Sequence, residues 1–210
     1  GYYGLKDLND TFLFDAGPFS PRNLSAHGHA DALSFELTID KKRVFIDPGV
    51  FTYNSGDLRQ YSRSTSSHNT LSINGLDQTF IWSSFRAGRK AKITKIKSSF
   101  ENHVHIIAEH DGYKFLKGGP IHRREVNFSN SELHIIDSVN GTFEGEASVI
   151  FQIAPNFKAK NISEHEILIY DNTTRIIFLS SSPAKLYESK VFMNFGHLYK
   201  NKKIMISETS

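Results

Sequence analysis

The sequence predicts an all-β fold, a large antiparallel β-sandwich of stacked sheets, and three observations carry that expectation. Short apolar runs alternate with polar residues at period two, the pattern of a strand with one buried face. Clusters such as Asp111-Gly112, Ser129-Asn130 and Asn140-Gly141 separate those runs regularly, as the turns of a sandwich do. No stretch shows a convincing helical period apart from a single turn around Leu5–Leu8.

In chain order, Thr11–Asp15 is the first strand, ended by Ala16-Gly17-Pro18, and Pro18–Asn23 reads as loop. Ala32–Ile39 and Arg43–Ile46 form a hairpin around Asp40-Lys41-Lys42, and Asp47-Pro48-Gly49 breaks its second strand. Phe51–Ser67 is rich in Ser, Thr, Arg and Tyr without periodicity and is expected to be a long loop. Loops of that length inside a compact domain are usually functional. Thr70–Ile73 is a strand closed by the turn pair Asn74-Gly75. Further strands are expected over Lys90–Ser98, His103–His110, His122–Phe128, Leu133–Val139, Ala147–Ile153, Glu166–Tyr170, Arg175–Leu179 and Lys185–Met193. No linker rich in Pro, Gly or Ser interrupts them, so a single β-sheet domain over residues 1–210 is expected.

Composition narrows the function classes. With 39 % hydrophobic and 22 % charged residues the chain is globular, neither disordered nor membrane-spanning. No apolar run approaches the ~20 residues of a transmembrane helix, and no signal-peptide pattern opens the chain. It begins at Gly1-Tyr2-Tyr3 without Met and is expected to be part of something longer. The absence of cysteine excludes disulfides and thiolate metal sites, leaving His and carboxylate as ligands. A formal charge of +3 permits an acidic partner without pointing to nucleic acid.

The chemistry concentrates between Ser25 and His68. If the strand that starts at Ala32 extended backwards, His27, His29 and Asp31 would share a face with Leu33. Gly28 between the histidines would let a ligand approach the backbone. Asp47 comes from the next strand and His68 from the end of the long loop. Histidines and a carboxylate on neighbouring segments suit a zinc site; they equally suit a hydrogen-bonded polar sheet face. Arg59, Arg63, Arg86, Arg89 and Lys90 form a basic set that either grips carboxylate or sulfate or is a solvated surface. Tyr53 and Tyr61 share the long loop, where a tyrosine near a cation can trade a proton. Trp82, with Phe80 and Phe85, either stacks on a sugar or forms satellite core. His103, His105, His110, His122 and His134 fall on expected strands and read as structural.

The phrases Phe14-Asp15-Ala16-Gly17-Pro18, His27-Gly28-His29-Ala30-Asp31-Ala32-Leu33-Ser34-Phe35-Glu36-Leu37, Asp47-Pro48-Gly49 and Arg63-Ser64-Thr65-Ser66-Ser67-His68-Asn69-Thr70 occur in that order. Together they resemble the β-sheet domain of the heparinase II/III-like polysaccharide lyases, and Trp82–Arg89 is similar to the next stretch of many members. The close match runs from about Phe12 to Lys92. The resemblance implies β-elimination on uronic-acid-containing polysaccharides, with His27 at the active site. It implies a structural zinc held by His29, Asp47 and His68, and it sets Tyr61 and Arg63 against the sugar. The candidate sites are therefore His27 and Tyr61 for catalysis, Arg63, Tyr53 and Arg86 for substrate, and His29, Asp47 and His68 for metal.

The family's helical toroid, which supplies further proton-transfer groups, is absent from this chain, so the fragment alone is expected to fold without turning over substrate. Family members are expected in the periplasm or outside the cell. Two rival classes remain. One is a carbohydrate-binding β-sandwich module without chemistry, in which His27 is replaceable. The other is a metal-dependent hydrolase with His27, His29 and Asp31 around an open zinc position. Asp47 and His68 in the ligand set favour the lyase; Asp31 there favours the hydrolase.

Overall fold

The computed structural model describes residues 1–6, 8–21, 24–100 and 103–210. The antiparallel strands β1 (Tyr2–Lys6), β2 (Thr11–Asp15), β3 (Phe35–Ile39) and β4 (Lys42–Phe45) make a first sheet in chain order. A short helix α1 (Asp57–Arg63) and a 3-10 turn (Thr65–Ser67) lead into β5 (Leu71–Ile73). The strands β6 (Ile93–Ser99), β7 (Val104–His110), β8 (Ile121–Ser129) and β9 (Glu132–Asn140) form a second sheet, again in chain order. Next come β10 (Glu146–Gln152) and the three-stranded sheet of β11 (Lys158–Asn161), β12 (Glu166–Tyr170) and β13 (Arg175–Leu179). The long hairpin β14 (Ala184–Asn194) and β15 (His197–Thr209) closes the last sheet, ordered β14-β15-β10-β5. The fold is all-β, as the alternating pattern requires.

Local chemistry explains the hairpins. Asp40 and Lys41 between β3 and β4 both take positive φ (50° and 64°), as do Asn130 and Ser131 between β8 and β9 (50° and 59°). Two left-handed residues in succession give a turn whose twist matches that of the flanking strands. Alternate side chains then fill the interior. Phe12 and Phe14 of β2, Phe35 and Leu37 of β3, and Val126 and Phe128 of β8 are buried in one cluster that also draws on β10, β12 and β15. Phe12 stacks on Phe128 at 5.5 Å between ring centroids, and Phe151 meets Phe35 at 5.9 Å and Phe178 at 5.1 Å. These aromatic contacts join all four sheets.

Several expectations change. The strand expected from Ala32 begins only at Phe35, because Leu33 sits in the left-handed region (φ 62°). His27, His29 and Asp31 therefore lie on an irregular segment and not on one strand face. The expected long loop over 51–67 contains α1 and the 3-10 turn. Strands β1, β11 and β15 are additional to those the sequence predicts. Leu5 and Lys6, where the sequence predicts a helical turn, pair with β2 as the end of β1; Asp7 of that turn lies outside the described residues, as do Arg22 and Asn23 of the loop expected over Pro18–Asn23.

Candidate metal centre

Helix α1 positions the segment from Ser25 to Asp31 through its arginines. Arg63 is fully buried, and its guanidinium donates to the carbonyls of Ser25 (2.8 Å), Gly28 (2.9 Å), Ser83 (2.7 Å) and Ser84 (3.0 Å). Arg59, also buried, donates to Ala26 O (2.6 Å) and Ser84 O (3.0 Å). Burial pushes the Arg63 guanidinium down to about 10, with the Arg59 charge adding to it. The chain thus grips its own backbone with the arginine that the resemblance sets against a sugar. Gly28 is needed for a different reason from the one expected: a Cβ there would lie 2.4 Å from Phe19 O, so the closeness serves packing, not a ligand.

His68 arrives from the 3-10 turn, fully buried. Its Nδ1 donates to Ser64 O at 2.8 Å, which leaves Nε2 as a lone pair. That atom faces His29 Nδ1 at 3.1 Å, Asp47 Oδ2 at 3.4 Å and Asp31 Oδ2 at 4.0 Å. One donor atom from each of His29, Asp31, Asp47 and His68 lies within 4.8 Å of the other three. Asp47 is steadied by Gly49 N–H, which donates to Oδ1 at 2.8 Å. Gly49 takes φ 72°, and a Cβ there would meet Phe192 O at 2.2 Å. Asn69, beside His68, donates to Phe35 O (2.7 Å) and Ile46 O (3.1 Å) and accepts from Gln152 N–H (2.6 Å). It thereby ties the His68 turn to the residue before Asp47.

The donor set suits a divalent cation. Four bonds of about 2.0–2.2 Å at tetrahedral angles place donors about 3.3–3.6 Å apart, close to the separations around His68 Nε2. Electrostatics point the same way. Burial pushes the His29 imidazole down to about 3, so the ring is neutral and can offer a lone pair. Burial, then Asp15 and Asp47, pushes the Asp31 carboxyl well above the usual range. Carboxylates crowded in a low dielectric without a counter-charge are costly, and a cation removes that cost. His68 donates its second nitrogen to a carbonyl, as metal-bound imidazoles do.

His29, Asp31 and Asp47 open onto a cleft of about 410 Å³ that is also lined by His27, Asp15 and Arg43. His27 is exposed and outside the donor cluster; its ring meets Tyr53 edge-on at 5.4 Å. Tyr53 contacts Phe85 and Phe195 (6.4 and 5.6 Å), with the Arg59 guanidinium 4.9 Å from its centroid. Arg86 is exposed over Trp82 at 5.2 Å, so Trp82 is surface and not satellite core. Of the catalytic and substrate candidates only His27 is among the described residues lining the cleft; Tyr53, Tyr61, Arg63 and Arg86 are not. The Tyr61 hydroxyl donates to Lys190 O at 3.0 Å, and burial raises its pKa, which keeps the proton on it.

Asp31 joins the cluster beyond the three ligands the resemblance implied, whereas His27 does not. The set therefore mixes the two expectations: Asp47 and His68 are the ligands that favour the lyase, Asp31 is the one that favours the hydrolase, and His27, which the hydrolase also needs, is outside it. Four protein side chains thus offer one donor atom each to an ion. Asn69 carries no sequence signal beyond lying in a matched phrase, and Arg59 and Arg63, which the sequence offers as a basic set, turn inward onto backbone carbonyls.

The family model described as heparinase II/III-like, C-terminal, matches residues 1–209. A heparin-sulfate lyase of Bacteroides thetaiotaomicron is 31 % identical over 139 residues, which is 62 % of this chain and 18 % of that protein. The chain is similar in structure to the heparan sulfate lyase HepC of Pedobacter heparinus, with a TM-score of 0.80 at 21 % identity. It is similar also to heparinase III, with a TM-score of 0.79 at 21 % identity. Each likeness covers 100 % of this chain but only 32 % and 33 % of the other, so the chain spans about a third of those structures.

Proposed function

The chain belongs to the heparinase II/III-like C-terminal family, and from that premise we propose that it is the sheet domain of a lyase that cuts uronic-acid-containing polysaccharide by β-elimination. The observation that carries this reading is the cleft, where exposed His27 stands beside the converged donors of His29, Asp31 and Asp47. In β-elimination a base takes the proton next to the uronate carboxylate, the bond to the leaving sugar oxygen breaks, and an acid protonates that oxygen. Charge grows on the carboxylate as the proton leaves, so donors aimed at it lower the barrier. His27, braced by Tyr53, is placed to exchange a proton or to donate to the carboxylate. The exposed Arg86 guanidinium offers a planar fork for carboxylate or sulfate.

Zinc is the ion that two imidazoles and two carboxylates at these separations suit, and its contribution is to tie the His29 loop to Asp47 and His68. His27 is held in place by the same loop. A helical domain of the parent protein supplies the remaining proton-transfer groups, and the parent works in the periplasm or outside the cell. A second reading, a non-catalytic carbohydrate-binding module, draws on the exposed Trp82 and Phe85.

The test is elimination by the full-length protein on heparin-like, alginate-like and capsular uronate polymers, read as the ultraviolet absorbance of the unsaturated product. His27→Ala is expected to abolish the signal while metal content stays at one ion. Unchanged turnover in that variant would hand the domain to the binding-module reading.

A further inference from the structure

At one end of the second sheet the core-facing row turns from hydrocarbon to polar. Along β7 the inward positions run Val104, Ile106, Ala108 and then His110; along β8 they run Phe128, Val126, Arg124 and His122. Register sets His110 opposite His122, and Arg124 opposite Asp137 of β9.

The four side chains form a continuous chain of hydrogen bonds. Gly112 N–H donates to His110 Nδ1 at 3.0 Å, so the proton of that neutral ring sits on Nε2. His110 Nε2 donates to His122 Nδ1 at 3.0 Å, and His122 Nε2 donates to Asp137 Oδ1 at 2.6 Å. Arg124 forks onto the same carboxylate, Nε to Oδ1 at 2.7 Å and one terminal nitrogen to Oδ2 at 2.9 Å. His110, His122 and Arg124 are fully buried, and the Asp137 side chain is 9 % exposed. Stability alone is a poor reason for such a set, because well-packed apolar side chains of similar volume are as stable or more so.

The remaining nitrogen of Arg124 supplies a better one. It donates to Leu33 O at 2.7 Å and to Asn69 O at 2.6 Å. Leu33 lies two residues beyond Asp31, and Asn69 directly follows His68. A single nitrogen, held by the rigid second sheet, thus joins the two irregular segments that bring in metal donors from opposite sides. Only a planar guanidinium can grip a carboxylate through one edge and two carbonyls through the other nitrogen; a lysine ammonium cannot span all three.

We propose that Arg124, oriented by Asp137, His122 and His110, is a positioning residue for the metal centre. It sets the spacing between the Asp31 and His68 segments, and with it the geometry and affinity of the ion. This rests on reading the His29–Asp31–Asp47–His68 cluster as a metal site.

The full-length protein, stripped by chelator, is titrated with Co2+ while the visible absorption bands are recorded and circular dichroism reports folding. Arg124→Lys and Asp137→Asn are expected to weaken Co2+ binding roughly 10–100-fold, and to shift the bands at saturation. A merely stabilising role would move neither quantity in protein that remains folded. His105→Gln serves as the control, since His105 pairs with Glu125 on the outer face of the same sheet and should change neither. If Arg124→Lys does not fold, Asp137→Asn and His122→Gln carry the comparison, and failure of all three to fold assigns the network to folding and overturns the proposal. Folded variants with wild-type affinity and bands also overturn it, leaving the metal reading intact. A wild-type protein that takes up no Co2+ overturns both.

Discussion

With its Nδ1 proton given to Ser64 O, His68 has one tautomer available, and its Nε2 lone pair faces two carboxylates and a second imidazole. Removing it should empty the centre: His68→Ala is expected to bring bound metal from about one ion per chain to near zero by elemental analysis. Retained stoichiometric metal would show that the four donors do not act together. A second residue-scale effect comes from His110 and His122, both pushed below the usual imidazole range by burial first. As pH falls through about 6.5, the unfolded chain takes up protons that the folded chain refuses. Stability is therefore full above that pH and declines below it, by up to about 1.4 kcal/mol per pH unit for each histidine. His110→Gln should flatten the fall in melting temperature between pH 6.5 and 5; an unchanged slope would show that these rings do not govern it. In the sequence both histidines read as structural and without partners. Their carboxylate, Asp137, lies on another strand at a register that no linear spacing displays.

At the scale of elements, what is legible is what alternates. β7 and β12 bury alternate residues, β13 half-buries Ile176 and Phe178, and their Val, Ile, Leu and Phe residues announce them. β15 escapes a reading of the sequence although it is 13 residues long, because Lys200, Lys202 and Lys203 interrupt the apolar pattern ahead of Ile204. β11 buries only Ala159, and β1 is nearly all exposed, so neither has a strong periodic signal. Helix α1 is under two turns long, and the buried face it presents is made of Arg59, Ser62 and Arg63. Hydrophobic periodicity cannot reveal a helix whose inward face is arginine. That face makes a prediction. Arg63→Lys keeps the charge but cannot span the carbonyls of Ser25, Gly28 and Ser83, for which Arg63 is the side-chain donor, and leaving two of them unpaired should cost about 2 kcal/mol. Urea denaturation measures the loss, and metal affinity should fall with it, because two of those carbonyls belong to the segment that carries His29. A change below about 0.5 kcal/mol, the range of ordinary surface substitutions, would show that α1 does not hold that segment.

At the scale of the molecule, four sheets share one aromatic-rich core, yet a group of rings is left outside it beside the cleft. Phe85, Phe195 and Trp82 are 51 %, 61 % and 52 % exposed, and the first two contact Tyr53, against which His27 leans. Exposed rings gathered in this way mark a surface that meets something. On the lyase reading it meets the helical domain of the parent, which closes the cleft over His27 and completes the proton-transfer set. No described helix is long and apolar enough to cross a membrane, so α-helical insertion within those residues offers no rival explanation of the patch. Two measurements test this. The isolated 210-residue chain should bind metal yet release no unsaturated product from uronate polymers that the full-length protein cleaves. Backbone amides over residues 80–86 and 192–196 should exchange hydrogen more slowly in the full-length protein than in the isolated chain. Turnover by the isolated chain at the parent's rate would place the whole reaction on this sheet. Equal exchange in both forms would show that the rings face solvent in the parent as well, and that sugar, not protein, is what they meet.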